Sequence, residues 1–238
     1  MEAFEQIVTI IHVVAGILAL GMSPLAMLTN KGGKAHRRWG KVYYWSMAII
    51  FVTAAIILVF FRWNLFLMTI SVVSFYQAWT AYRVLIRKTP RQVSRIDWTF
   101  AIGSAIFGCI LIINAALVLL NALPEAIMPP AETRTLTAIL SLIFGVITFQ
   151  VAWKDTRIFL QHPEDARWWW YHHMSNMGGS YIAAVTAFLV QNGTRFLPME
   201  IAWILWILPM LIGVPAFIYW EAQYRRKFEA VAQRRVRS

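Results

Sequence analysis

Long apolar runs alternate with short polar, mostly basic segments along the chain. Runs of about 20 residues, the length that crosses a bilayer core as helix, fall near 6–29, 42–61, 64–86, 98–120, 135–153, 171–191 and 199–220. The pattern predicts an all-α polytopic bundle of seven transmembrane helices in one domain, 1–238, ending in a basic tail over 221–238. The first run is preceded by Glu2 and Glu5 instead of a basic region and has no small-x-small cleavage site, so it reads as a retained span and not a signal peptide.

The polar segments set the orientation. With the N-terminus outside, 19 of the 22 Lys and Arg residues fall in the cytoplasmic segments 30–41, 83–97, 154–167 and the tail, leaving Arg62, Arg134 and Arg195 outside. The formal net charge of +11 is thereby explained by topology and by anionic headgroups at the cytoplasmic loops, and nucleic acid is not needed as a partner. With 59% hydrophobic and 14% charged residues the chain departs from soluble domains, where roughly a quarter of residues are charged. Cys109 has no partner for a disulfide.

Inside the spans, small residues recur at four-residue spacing: Ser104 with Gly108, Ser141 with Gly145, and Gly179 with Ala183 and Ala187. Such faces allow close helix packing within the bundle or against a second copy in a homodimer. Pro24 in span 1, and Pro209, Gly213 and Pro215 in span 7, predict kinks. Trp168-Trp169-Trp170 reads as an interface anchor.

Candidate chemistry rests on histidine. His12 lies inside span 1, where an ionisable residue needs a partner, and Asn114, Thr137, Ser141 and Thr186 lie at its depth. It reads either as a neutral imidazole bonded to one of these or as a proton relay. His36, His172 and His173, with Asp97, converge on the cytoplasmic level at the inner ends of spans 2, 4 and 6; His162 lies in the third cytoplasmic loop. Three imidazoles and a carboxylate suit zinc, and two imidazoles suit the iron of one heme b. His173 with Met177, four residues on, suits copper. Because consecutive helical residues diverge by about 100°, only one of His172 and His173 is expected to bind with His36, with His172 narrowly preferred. Asp97 serves in that arrangement as a ligand or as the group orienting an imidazole. The two-heme pattern of membrane cytochromes is absent, since the outer half holds only His12.

Other signatures fail. Lys31-Gly32-Gly33-Lys34 lacks the leading glycine and following Ser or Thr of a phosphate loop, and neither His-Glu-x-x-His nor Gly-x-Ser-x-Gly occurs. No enzymatic class is indicated.

The string Ile11-His12, Ala15-Gly16, Ala19-Leu20-Gly21 and Pro24, followed by Lys31-Gly32-Gly33-Lys34-Ala35-His36-Arg37-Arg38-Trp39-Gly40, resembles a group of bacterial multi-pass membrane proteins classed as a domain of unknown function. The segment from His172 to Asn192, with Met177-Gly178-Gly179-Ser180-Tyr181, resembles the same group. The resemblance implies a bacterial cytoplasmic membrane location and brings no reaction. Three readings follow: a metal or heme site at the cytoplasmic face for membrane redox or assembly of a redox complex; a small-solute or proton-linked transporter using His12 and the kinked span 7; and a noncatalytic lipid-interacting or scaffold protein.

Overall fold

The computed structural model describes residues 1–237 apart from 90, 91, 162, 194, 199 and 200, with side chains described to 230. His162 and the basic side chains of Arg91, Arg234, Arg235 and Arg237 lie outside that description. The described residues form seven α-helices: α1 (Glu2–Leu28), α2 (Lys34–Phe60), α3 (Leu65–Arg83), α4 (Arg95–Leu119), α5 (Ala131–Leu160), α6 (Trp168–Gly193) and α7 (Ile204–Arg237). A single 3₁₀ turn, Glu125–Ile127, lies between α4 and α5.

Six of the helices are long and apolar enough to cross a membrane: α1 to α5, and α7 over Ile204–Ala230. The sequence expectation of seven such runs thus meets one exception in α6. It has ample length at 26 residues, but His172, His173, Asn176, Ser180 and Thr186 make it less apolar than the others. The reason is position: α6 packs against α1, α3 and α7, and its polar side chains are turned inward, where they find partners.

The bundle is apolar outside and polar at its centre. Ile7, Ile10, Val13, Val14 and Ile17 of α1, Ile102, Ile106, Ile110 and Ile113 of α4, and Leu211, Ile212 and Ile218 of α7 are exposed. A large apolar exterior of this kind suits lipid and not water. Thr69, Ser71, Ser74, Gln77 and Thr80, all buried, run down α3, which touches α2, α4, α5 and α6 and is the axis of the fold. Helix pairing is partly sequential and partly not: α1 pairs with α2 and α4 with α5, while α3 packs chiefly on α6.

Small residues make these approaches. A Cβ on Gly108 would fall 2.9 Å from Gly145 O and Phe149 N, so the Ser104–Gly108 and Ser141–Gly145 faces pack on each other across α4 and α5. Gly179 faces Gln77, and Gly178 and Gly213 give room to Phe217 and Ile182 between α6 and α7. Gly108→Ala is therefore expected to destabilise by about 1–3 kcal/mol, because backbone must move. Gly16→Ala, with nothing within 4 Å of the added carbon, is expected to be neutral or to stabilise by up to about 1 kcal/mol through helix propensity. Equilibrium unfolding in mixed micelles reads both.

The helices run through Pro24, Pro209 and Pro215 without a break. Proline at 24 leaves the Leu20 carbonyl without its helical donor, and Tyr181 OH of α6 approaches that oxygen at 3.4 Å. The tryptophan run is packed and not a simple anchor: Trp170 lies against Tyr224 and Phe228 of α7, Trp168 lies beside His172, and Lys88 sits 3.9 Å over Trp169.

Candidate functional site

Five helix segments meet at the end of the bundle that holds the start of α2, α4 and α6 and the ends of α3 and α5. Two features of chain geometry bring this about. Helix α2 starts at Lys34, so His36 is on its first turn and not in a loop, and α5 runs on to Leu160, so Asp155 is helical. Gly32, at φ 77°, makes the turn that feeds α2.

Asp155 and His172 form the heart of a buried polar network. Asp155 is 1% exposed and His172 2%. Tyr76 OH donates to Asp155 Oδ2 at 2.8 Å, and Thr80 Oγ1 donates to the same oxygen at 2.5 Å. His172 Nε2 lies 3.0 Å from Asp155 Oδ1 and 3.1 Å from Thr80 Oγ1. Since the Thr80 proton goes to the carboxylate, His172 Nε2 carries the proton on its side. The Asp155 Oδ1 approach is not an aligned hydrogen bond, and among the described residues His172 Nδ1 is buried without a hydrogen-bond partner.

Arginine completes the network. Arg87, buried, donates to Thr80 Oγ1 and sits 3.5 Å from Asp155 and 3.8 Å from Asp97. Arg83 grips Asp97 with both Nε and Nη2, at 2.8 and 2.7 Å, while the Ser94 backbone N–H and hydroxyl donate to Asp97 Oδ2 at 2.9 and 2.7 Å. Two carboxylates thus face two guanidinium groups, and the buried cluster carries no net charge with His172 neutral. Charges buried in this way are stable because each keeps its partners.

This arrangement corrects the four-residue convergence expected from the sequence. Asp97 is committed to Arg83 and Ser94, and it neither joins His36 nor orients an imidazole. His172 turns to Asp155, so the narrow preference for His172 is overturned. His173, about 100° further round α6, turns instead to the Ala81 carbonyl of α3 and to His36 of α2. Among the described residues no group of three or more His, Cys, Asp or Glu side chains is placed to hold a metal ion.

What remains together is the pair His36 and His173, with ring centroids 6.2 Å apart and planes at 76°. His36 Nδ1 donates to Ala26 O at 2.9 Å, and His173 Nδ1 donates to Ala81 O at 2.8 Å. A carbonyl only accepts, so both Nδ1 atoms are protonated, and in the neutral rings both Nε2 atoms carry lone pairs. Met177 lies one helical turn from His173, and it packs with Met22 on a core containing Ala19, Tyr43, Met47 and Phe75. Met22 in turn is one turn from Ala26.

His12 is separate from both groups. Its Nδ1 pairs with Thr53 Oγ1 of α2 at 2.9 Å, a partner outside the four expected from depth. Thr53 gives its own proton to Ile49 O at 2.7 Å, so His12 donates. Of the expected partners, Asn114 bonds Ser141 and Thr186 bonds Ile182 O. Among the described residues the backbones of α1 and α7 do not approach each other closely, so nothing brings His12 and the prolines of α7 into one site. Thr53→Val and His12→Leu are each expected to cost about 0.6 kcal/mol, the usual scale of an interhelical hydrogen bond in a membrane, with a double mutant no worse than the sum. A double-mutant cycle in micelles measures this.

Comparison with protein-family models, with curated proteins and with solved structures finds no match.

Proposed function

We propose that this chain is a seven-span integral membrane protein, N-terminus outside and C-terminus cytoplasmic, that holds copper(I) between His36 and His173 at its cytoplasmic face for membrane redox or assembly of a redox complex. The observation that carries this reading is the imidazole pair. Both rings are oriented by backbone carbonyls at Nδ1, the arrangement typical of metal-ligating histidines, and both are left with Nε2 to offer.

The ring separation bounds the coordination angle. An ion bonded to both Nε2 atoms at about 2.0–2.1 Å lies about 3.1–3.2 Å from each ring centroid, so a tetrahedral angle implies centroids about 5.1 Å apart and a near-linear one about 6.2 Å. With both Nε2 atoms turned to one ion, a separation of 6.2 Å matches the near-linear case. Zinc prefers four ligands in a tetrahedron, whereas copper(I) accepts soft donors and low coordination. Met177 is one helical turn from His173 and Met22 one turn from Ala26, whose carbonyl holds His36, and the basic surroundings of Lys31, Lys34, Arg37 and Arg38 oppose a dication more than a monovalent ion.

A heme iron with two trans imidazoles has the same angle, which keeps heme b as the second reading. Purified without chelators and offered copper(I), zinc and heme separately, the protein is expected to retain stoichiometric copper and no zinc. A Soret band with heme alone moves the assignment to heme, and retention of none of the three defeats the proposal.

The orientation has its own test. A reporter fused after Ser238 is expected to report cytoplasm, and one inserted between Pro124 and Pro129 the outside. Both on one side would contradict the seven-span topology.

A further inference from the structure

The first two turns of α2 carry Lys34, Arg37, Arg38 and Lys41, all exposed and all on one helical face. Together they line a concavity of about 430 Å³. Among the described residues no carboxylate pairs with any of the four. Four arginines elsewhere do have acids, Glu5 for Arg62, Asp97 for Arg83, Asp155 for Arg87 and Glu221 for Arg225, whereas the α2 stripe gathers four unpaired cations on one face. Like charges three and four residues apart repel, so this stripe burdens α2 unless counter-charge comes from outside the chain.

The surroundings specify that counter-charge. The four cations extend over about 10 Å of helix, the reach of two neighbouring phosphate groups. Gly33 provides no side-chain cap, so backbone N–H groups of the first turn are open to an anion as well. Arg38 stacks over Trp39 at 5.5 Å, and the exposed Trp45 follows on the same helix, aromatic residues of the kind that sit at headgroup level.

We infer that the Lys34, Arg37, Arg38 and Lys41 concavity binds a phosphate-bearing anion with two phosphate groups, such as the headgroup of a diphosphate phospholipid. The inference uses side chains other than the imidazole pair and does not rest on copper.

Native mass spectrometry of the purified full chain tests it, with cardiolipin, phosphatidylglycerol and inorganic pyrophosphate offered in separate samples. The wild type is expected to retain cardiolipin above phosphatidylglycerol. Arg37→Gln/Arg38→Gln, and the fourfold variant adding Lys34→Gln and Lys41→Gln, are expected to lose about tenfold or more of that retention. The charge-matched control Arg226→Gln/Lys227→Gln is expected to keep it. Specific pyrophosphate retention, lost in the same variants, supports the site with a soluble diphosphate as its source. Retention that is equal in the stripe and control variants, or absent for all three probes, overturns the inference. Should the fourfold variant not fold, the double variant decides by the same comparison.

Discussion

Asp155→Ala is expected to destabilise the protein by about 3–5 kcal/mol, the largest loss of stability at any position considered, because it removes one partner of a buried charge network and leaves the rest in place. Arg87, 4% exposed, would lose its nearest carboxylate; Tyr76 and Thr80 would lose the acceptor of their hydroxyl protons; and His172 Nε2 would lose its closest oxygen. Asp155→Asn keeps an acceptor for Tyr76 and Thr80 while removing the charge opposite Arg87, so a smaller loss of about 1–3 kcal/mol is expected. The double variant Asp155→Asn/Arg87→Gln should recover part of that loss. Unfolding in mixed micelles, followed by far-ultraviolet circular dichroism, gives the three values. Equal stability of Asp155→Ala and wild type would mean that the network does not hold α3, α5 and α6 together.

His36→Ala and His173→Ala are each expected to weaken copper(I) binding by more than the 10–100-fold typical of losing an orienting group, since each removes one of two coordinating nitrogens. His172→Gln is the informative contrast. Its imidazole is turned to Asp155 and Thr80, so copper retention per folded chain should stay near the wild-type level while stability falls. This reverses the order expected from sequence alone, in which His172 was the preferred ligand. The network and the pair are nonetheless linked through α6: with His172 fixed against Asp155, the helix cannot rotate, and His173 is held toward His36.

Much of the fold is legible in the hydropathy pattern, because a bilayer imposes a length and an apolar exterior on every spanning helix. The termini of those helices are not legible in the same way. Apolar windows stop where charges begin, so α2 reads as starting near 42 although it starts at Lys34, and α5 reads as ending near 153 although it ends at Leu160. The charged turns at these ends are helical because nothing in them breaks a helix. Asp155 and His36 lie in those turns, so Asp155 goes unrecognised and His36 appears to be a loop residue. Thr80 and Arg83 fall inside the window 64–86 and Arg87 just past it, and they go unrecognised because their partners Asp155 and Asp97 come from other helices.

The histidines themselves stand out by type, yet their assignment needs the rotation of α6. Nothing in the local sequence fixes that rotation, since His172 and His173 are neighbours of equal chemistry. A signal does exist at longer range. Asp155 is an acid near the C-terminal end of an apolar helix, and a buried acid requires a donor at its own level, which His172, Thr80 and Arg87 supply. Likewise the pairing of His12 with Thr53 follows from α1 lying along α2, a contact that depth alone does not distinguish from those with α4 or α5.

The central claim is that His36 and His173 coordinate one ion in a near-linear arrangement, and an X-ray absorption spectrum at the copper K-edge of the copper(I)-loaded protein tests it most directly. The account predicts a low-coordinate copper(I) edge with back-scattering from two imidazole nitrogens and, at most, a longer sulfur contact from a thioether of Met177 or Met22. A four-coordinate nitrogen and oxygen shell, or a spectrum unchanged when His36 and His173 are both replaced by Ala, would contradict it.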